Sequence, residues 1–211
     1  MRKKSKLVCG VGINDVEYAV TKYEDYTGMD GKQKKRAIWV CPFYRKWKDM
    51  LMRCYYEKYQ ESHSTYIGCS VCKEWLTFSN FKAWMEKQDW EGKQLDKDII
   101  FIGNKIYSAE TCVFVDKRVN SFLLECNSSR GGLPIGVSLS RRHNKFKAVC
   151  SIVGRAKHLG LFDTELEAHK AWLAFKLEQA KILAAEQSDP RVAKALIERY
   201  ENYVVEECDK S

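Results

Sequence analysis

Long apolar runs are missing from this chain of 211 residues. No stretch approaches the ~18 residues that a membrane span needs, so no membrane partner is expected. The opening MRKKSKLVCGVG is basic but leads into no apolar core of signal-peptide length, so export is not expected. Histidine is scarce, with four in the chain, and His63 is the only one in the first two-thirds. Paired cysteine motifs are scarce too. Nine cysteines are scattered along the chain, and Cys69 and Cys72 form the only C-x-x-C. A zinc knuckle needs a second pair at compact spacing. Only Cys54 with Cys41 or His63 offers one, so structural zinc is not expected. Reduced thiols in a cytosol are the simplest reading of an odd, scattered set.

What is present is ordinary for a globular chain: 45% hydrophobic and 30% charged residues. The length suits one large domain or two small ones. The formal net charge of +8 favours polyanions, although basic surfaces also occur on proteins that bind none.

Residues 1–40 read as an extended arm, with the basic run Lys32 to Arg36 as a solvated loop or a phosphate contact. Between Phe43 and Tyr59 the apolar residues Phe43, Trp47, Met50, Leu51, Cys54 and Tyr55 recur at helical spacing. Pro42 suits the first turn of that helix. Arg45, Lys46, Lys48 and Arg53 are read on its other side, within reach of phosphates. Phe78, Phe81, Trp84 and Met85 mark the core face of a second helix over 79–88. The small residues from Asn127 to Gly132 mark a boundary.

The chemistry concentrates in residues 95–120, LDKDIIFIGNKIYSAETCVFVDKRVN. The pattern is a strand from Leu95, a turn at Gly103 and Asn104, a loop from Ser108 to Thr111, and a strand from Cys112 to Val115. A helix then starts at Asp116 and carries Asn120. On a strand, Asp96 and Asp98 share one face and Lys97 points away. Two such carboxylates suit a hard divalent cation, with Asn120 as a further oxygen donor. The alternative is two solvent-facing aspartates and a turn amide.

Those residues, with YRKWKDMLMRCY, YIGCSVCKEW and FSNFKAW before them, resemble the HNH-type homing endonucleases of bacteriophages over 43–124. The resemblance implies a ββα-metal nuclease fold and Mg2+ or Mn2+ as cofactor. It puts Asp96 at the acidic position, Lys97 where the general-base histidine belongs, Thr111 at the middle asparagine and Asn120 at the last. Asp96, Lys97, Asp98 and Asn120 are therefore the catalytic candidates, and Asp96, Asp98 and Asn120 the metal ligands. With the histidine absent, Asp98, a metal-bound water or His63 takes the base role, or the domain binds without cleaving. Lys97 beside two aspartates reads as a phosphate contact. A restriction-like cluster of Glu74, Asp96 and Lys97 ranks lower, because D-K-D departs from its spacing.

Residues 134–162 alternate in three short strands, and Thr164-x-x-Glu167 is a capping box ahead of a long helix. GVSLSRRHNKFKAVCSIVGRAKHLGLFDTELEAHKAW resembles the Apetala-type domain of plant ethylene-response factors, which implies a sheet in the DNA major groove. Arg141, Arg142, Lys145, Lys147, Arg155 and Lys157 are the cations to contact double-stranded DNA.

The expected architecture is α+β. An arm over 1–40 precedes a ββα-metal, HNH-like nuclease domain over 41–127 and a linker over 128–133. A domain of a three-stranded antiparallel sheet plus helix follows over 134–187, then a C-terminal helix and acidic tail over 188–211. The expected function is metal-dependent, sequence-directed cleavage or nicking of double-stranded DNA by a monomer. The resemblance implies a phage origin and a host-cell cytoplasmic location. The alternative is a non-cleaving DNA-binding regulator or interference protein.

Overall fold

Trp47 and Phe78 lie at the centre of the first half of the chain, fully buried, with ring centroids 5.4 Å apart. The computed structural model describes residues 7–123, 132–152 and 155–203, and the chain has mixed α+β architecture. It divides into two compact units, 1–114 and 115–211. The linker expected over 128–133 falls mostly outside the described residues. So do the turn at Gly154 and the acidic tail residues Glu206, Glu207 and Asp209.

In the first unit, helix α1 (Pro42–Tyr55) buries Trp47, Met50, Leu51 and Cys54, the stripe read from its spacing. It stops short of Tyr59, because Tyr56 turns extended and a separate helix α2 (Glu57–Ser62) follows. Helix α3 (Phe78–Met85) packs Phe78, Phe81 and Met85 inward. Burying each large apolar side chain contributes about 1.5–3 kcal/mol, so this aromatic cluster dominates the unit. The Trp47 indole N–H donates to the Trp75 carbonyl at 2.6 Å, so this buried polar atom is satisfied.

The arm departs from its expected form. Val8 to Asp15 lies against the core: the Ile13 N–H donates to Leu76 O at 2.8 Å, and Phe78 N–H donates to Ile13 O at 2.9 Å. Asp15 accepts from the Ser79 backbone at 3.0 Å and caps the start of α3. Gly12 allows this approach, since a Cβ there would sit 2.8 Å from the Trp47 ring. Residues 21–40 are no irregular loop. They form a hairpin of β1 (Thr21–Thr27) and β2 (Gln33–Val40), antiparallel, with a bulge between Lys22 and Tyr23. The basic run thus lies on a strand, apart from Lys32 in the turn.

The remaining strands are short. β3 (Ser70–Val71) pairs in parallel with β5 (Ile106–Tyr107), and β4 (Gln94–Asp96) pairs with β6 (Val113–Val115).

In the second unit, α4 (Lys117–Leu123) starts at Asp116, whose Oδ1 accepts from Val119 N–H at 2.9 Å. Strands β7 (Val137–Ser140), β8 (Lys145–Ile152) and β9 (Arg155–Phe162) form an antiparallel sheet in that order. Helix α5 (Glu165–Ala185) packs on it, and both bonds of the Thr164–Glu167 capping box are made. Helix α6 (Pro190–Glu201) starts at Asp189, which accepts from Arg191 N–H. The buried stripe of α5 holds two polar residues that hydrophobic periodicity passes over. His169 Nδ1 donates to Ile135 O at 2.9 Å. Lys176 Nζ donates to Phe122 O at 2.7 Å, over the Phe122 ring. That carbonyl belongs to the last turn of α4, where carbonyls lack helical partners, so a buried ammonium ties α4 to α5.

Candidate functional site

β4 ends at Asp96, and the chain bends from Lys97 onward. The expected strand through Ile102 is therefore three residues long, for a local reason. Asp96 Oδ1 accepts from Asp98 N–H at 2.9 Å and from Ile99 N–H at 2.8 Å. An aspartate that bonds the backbone two and three residues on competes with the ladder and closes a turn. Strand alternation consequently does not govern Lys97 and Asp98.

Lys97 is the largest departure. It is 5% exposed, with Nζ 3.1 Å from Asp98 Oδ2 and 5.9 Å from the Tyr107 ring centroid. It does not project as a free phosphate clamp. Asp98, in contrast, keeps about half its side-chain surface in solvent, at 48%. The Asp96 and Asp98 carboxyls reach each other. Burial first, and the Asp98 charge second, push the Asp96 carboxyl above the usual carboxylate range, against the pull of the two backbone N–H groups.

Arg53 stands beneath this turn. Helical spacing places it among surface cations with Lys46, but both turn inward. Arg53 Nη1 donates to Leu95 O at 3.3 Å, its guanidinium lies 5.4 Å from the Tyr66 ring centroid, and it bonds the Tyr107 hydroxyl. Lys46 Nζ donates to Lys93 O at 2.5 Å. Arg45 and Lys48 remain exposed. Burial drives the Tyr107 hydroxyl well above its ordinary range, so it stays protonated. Arg53 and Lys97 thus share Tyr107, one through a hydrogen bond and one across the ring.

Asn104 does more than turn the chain. Its Nδ2 donates to Lys97 O and to Ile106 O, each at 2.7 Å, and its Oδ1 accepts from Ile106 N–H at 3.2 Å. It clamps the loop that holds Lys97. Thr111 serves the next loop: its hydroxyl donates to Ile106 O at 2.8 Å and accepts from Ser108 N–H at 3.2 Å.

His63 is exposed, with its ring stacked on Tyr59 at 4.2 Å and Nδ1 donating to Tyr59 O at 3.0 Å. A neutral imidazole with Nδ1 so engaged presents Nε2 as the acceptor. Glu74 is exposed and bonds the Cys72 thiol. Asn120 is half-buried on α4, in the second unit.

Burial first and the neighbouring Cys69 second push the Cys54 thiol up to about 12. Among the described residues no three His, Cys, Asp or Glu side chains gather around a common point.

On the sheet, pairing decides which cations share a face. Lys145 pairs with Ser140 and Lys147 with Ser138, on the side away from the buried Ala148 and Cys150. Arg141 and Arg142 lie exposed in the turn between β7 and β8. A bulge between Ala148 and Val149 shifts β9 by one residue, so Lys157 pairs with Cys150 and Arg155 with Ile152. Lys157 therefore lies on the helix side, its Nζ 4.4 Å from the Phe175 ring centroid. The six predicted cations do not form one surface. Arg141, Arg142, Lys145 and Lys147 fall on the open face and its turn, although Lys145 also pairs with Asp163 at 3.0 Å.

Compared with known protein families, curated proteins and solved structures, the chain finds no match.

Proposed function

We propose that this protein is a metal-dependent endonuclease acting on double-stranded DNA, with Asp96 and Asp98 as its acidic centre. The observation that carries the reading is the pair itself. Two carboxylates reach each other at the end of β4, one partly buried and one open to solvent. Burial first, and their mutual repulsion second, raise the proton affinity of Asp96. A hard divalent cation bound by both oxygens would remove that repulsion, so the donor set fits Mg2+ or Mn2+. Such an ion supplies Lewis-acid polarisation of a phosphoryl oxygen. The protein's own groups orient the pair. Two backbone N–H groups hold Asp96, and Lys97 holds Asp98. Arg53 fixes the strand carbonyl one residue before Asp96. The open face of the β7–β9 sheet, with Arg141, Arg142, Lys145 and Lys147, would seat the duplex, since basic residues on a sheet neutralise phosphates and reach base edges.

A second reading is a DNA-binding protein that does not cleave. It is favoured by Lys97, which fills the position of the expected base yet is buried and held by Asp98.

Plasmid nicking with Mg2+ or Mn2+ separates the two readings. Wild type is expected to relax supercoiled plasmid, Asp96→Ala and Asp98→Ala to lose at least ~100-fold in rate, the scale of a lost general base or metal ligand. His63→Ala tests whether the loop imidazole serves as base. No divalent-dependent cleavage of any duplex by wild type sinks the nuclease reading and leaves the binding one.

A further inference from the structure

We propose that the β1–β2 ribbon is a second DNA-contacting element, entering the major groove of duplex DNA separately from the β7–β9 sheet. This rests on the reading of the protein as DNA-directed.

Isolated two-stranded hairpins are marginal in water, and exposed apolar side chains on one ordinarily mark a covered surface. This ribbon is open on both faces along nearly its whole length. Tyr23 is 60% exposed, Ile38 57% and Trp39 42%. The pairing distributes its side chains. Tyr26, Lys34, Glu24 and Arg36 share one face, and Asp25, Lys35, Tyr23 and Ala37 the other. The apolar residues are split between faces, so neither offers a protein partner one contiguous patch.

The cations have a different distribution. Lys34 and Arg36 lie on one face, Lys35 on the other, and Lys32 at the turn. A flat partner meets one face of a ribbon. A groove has two phosphate walls and meets both, and the major groove admits a two-stranded ribbon. Between residues 21 and 40 there are five cations and three carboxylates. Each carboxylate already holds a cation: Glu24 with Arg36, Asp25 with Lys35 at 3.9 Å, and Asp30 with Lys34 at 3.1 Å. The surplus is therefore positive, and the paired cations stay largely in solvent, Lys35 at 71% and Arg36 at 68%. Exposed pairs of this kind are weak and exchange readily for phosphate. The aromatic rings support the cations, with Lys22 over Trp39 at 5.4 Å and Arg36 over Tyr26 at 5.7 Å.

The test is binding of a labelled ~40-bp mixed-sequence DNA duplex by the full chain across a salt series, with an RNA duplex of the same sequence as control. Replacing Lys32, Lys34, Lys35 and Arg36 by Ala is expected to weaken DNA binding at least tenfold. The slope of log K against log salt should fall by ~0.9 for each phosphate that is no longer neutralised. Lys32→Glu, in the turn and outside the ladder, covers the case in which the multiple variant misfolds, and about a threefold loss is expected. RNA binding should change little, because the A-form major groove excludes a ribbon. Unchanged DNA affinity and slope in both variants overturn the proposal, as does an equal loss on RNA. A variant that turns a dimer into a monomer in solution overturns it in favour of a second copy of the chain. If wild type binds no duplex DNA, the underlying reading fails as well. If Arg141→Ala/Arg142→Ala weakens binding and the ribbon variants do not, only the ribbon proposal fails.

Discussion

Lys97 and Asp98 are neighbours in sequence whose side chains turn to meet, Nζ to Oδ2 at 3.1 Å, the lysine buried and the aspartate half in water. The geometry is possible because Asp96 closes a turn by accepting two backbone N–H groups, which frees residue 98 from strand alternation. A charge that sequence alone assigns to a ligand is instead used within the protein, to hold one of its two carboxylates.

Lys97→Met keeps the length of the side chain and removes the ammonium. Losing a charged hydrogen bond at a buried site costs about 1.5–3 kcal/mol. The variant is expected to unfold at correspondingly lower denaturant while remaining folded in its absence. If Lys97 were a free phosphate clamp, stability would be unchanged and only DNA affinity would fall. Chemical denaturation beside a binding isotherm distinguishes the two.

Asp96 gives a pH signature. Its carboxyl is raised in the folded protein, mainly by burial and then by Asp98. The unfolded chain therefore releases this proton first. Its contribution is complete below the unfolded value of about 3.9 and is lost as pH rises through the folded value. Asp96→Asn keeps an oxygen for the two N–H groups and cannot ionise. Relative to wild type its melting temperature should improve as pH rises above the unfolded value and level off once pH has passed the folded one. Addition of Mg2+ at pH 7 should raise the wild-type transition and leave the variant unmoved, since a ligand bound only to the folded state stabilises it. A gap independent of both pH and Mg2+ would contradict this account.

Gly136 takes φ +78°, and a Cβ there would fall within the Trp172 indole, 2.5 Å from Nε1. Gly136→Ala should cost roughly 2–4 kcal/mol from backbone strain and overpacking together. Thermal unfolding followed by tryptophan fluorescence would report it. The same change at Gly132, where nothing lies within 4 Å, serves as the control.

The two groups of sheet cations should separate experimentally. Arg141→Ala/Arg142→Ala is expected to weaken duplex binding and to lower the salt slope by ~0.9 for each phosphate left without its cation. Lys157→Ala should leave the slope alone and instead cost about 0.5–1 kcal/mol of stability, because its ammonium rests on Phe175. Salt titration and thermal melts of both variants decide whether the β9 bulge divides them as the pairing implies.

The buried faces of the helices and several of their starts are legible in the chain alone, because those signals are local, whereas the break at Tyr56 that ends α1 is not. The spacing of Trp47, Met50, Leu51 and Cys54, the Thr164–Glu167 box, and Asp189-Pro190 all act within one or two turns. Legible too is the presence of carboxylates, an ammonium and a basic three-stranded sheet. Three features needed long-range packing to settle them. Arg53 and Lys46 turn inward because Leu95 O and Lys93 O, about forty residues on, need donors. Lys157 leaves the open face because a bulge at Leu159 shifts the pairing of the β9 residues that precede it. Residues 21–40 become a ribbon because cross-strand pairs, invisible to periodicity on either strand alone, set the register. In each case a long-range partner overrides a local pattern. A buried carbonyl without a donor costs more than a preference of helix face can offset.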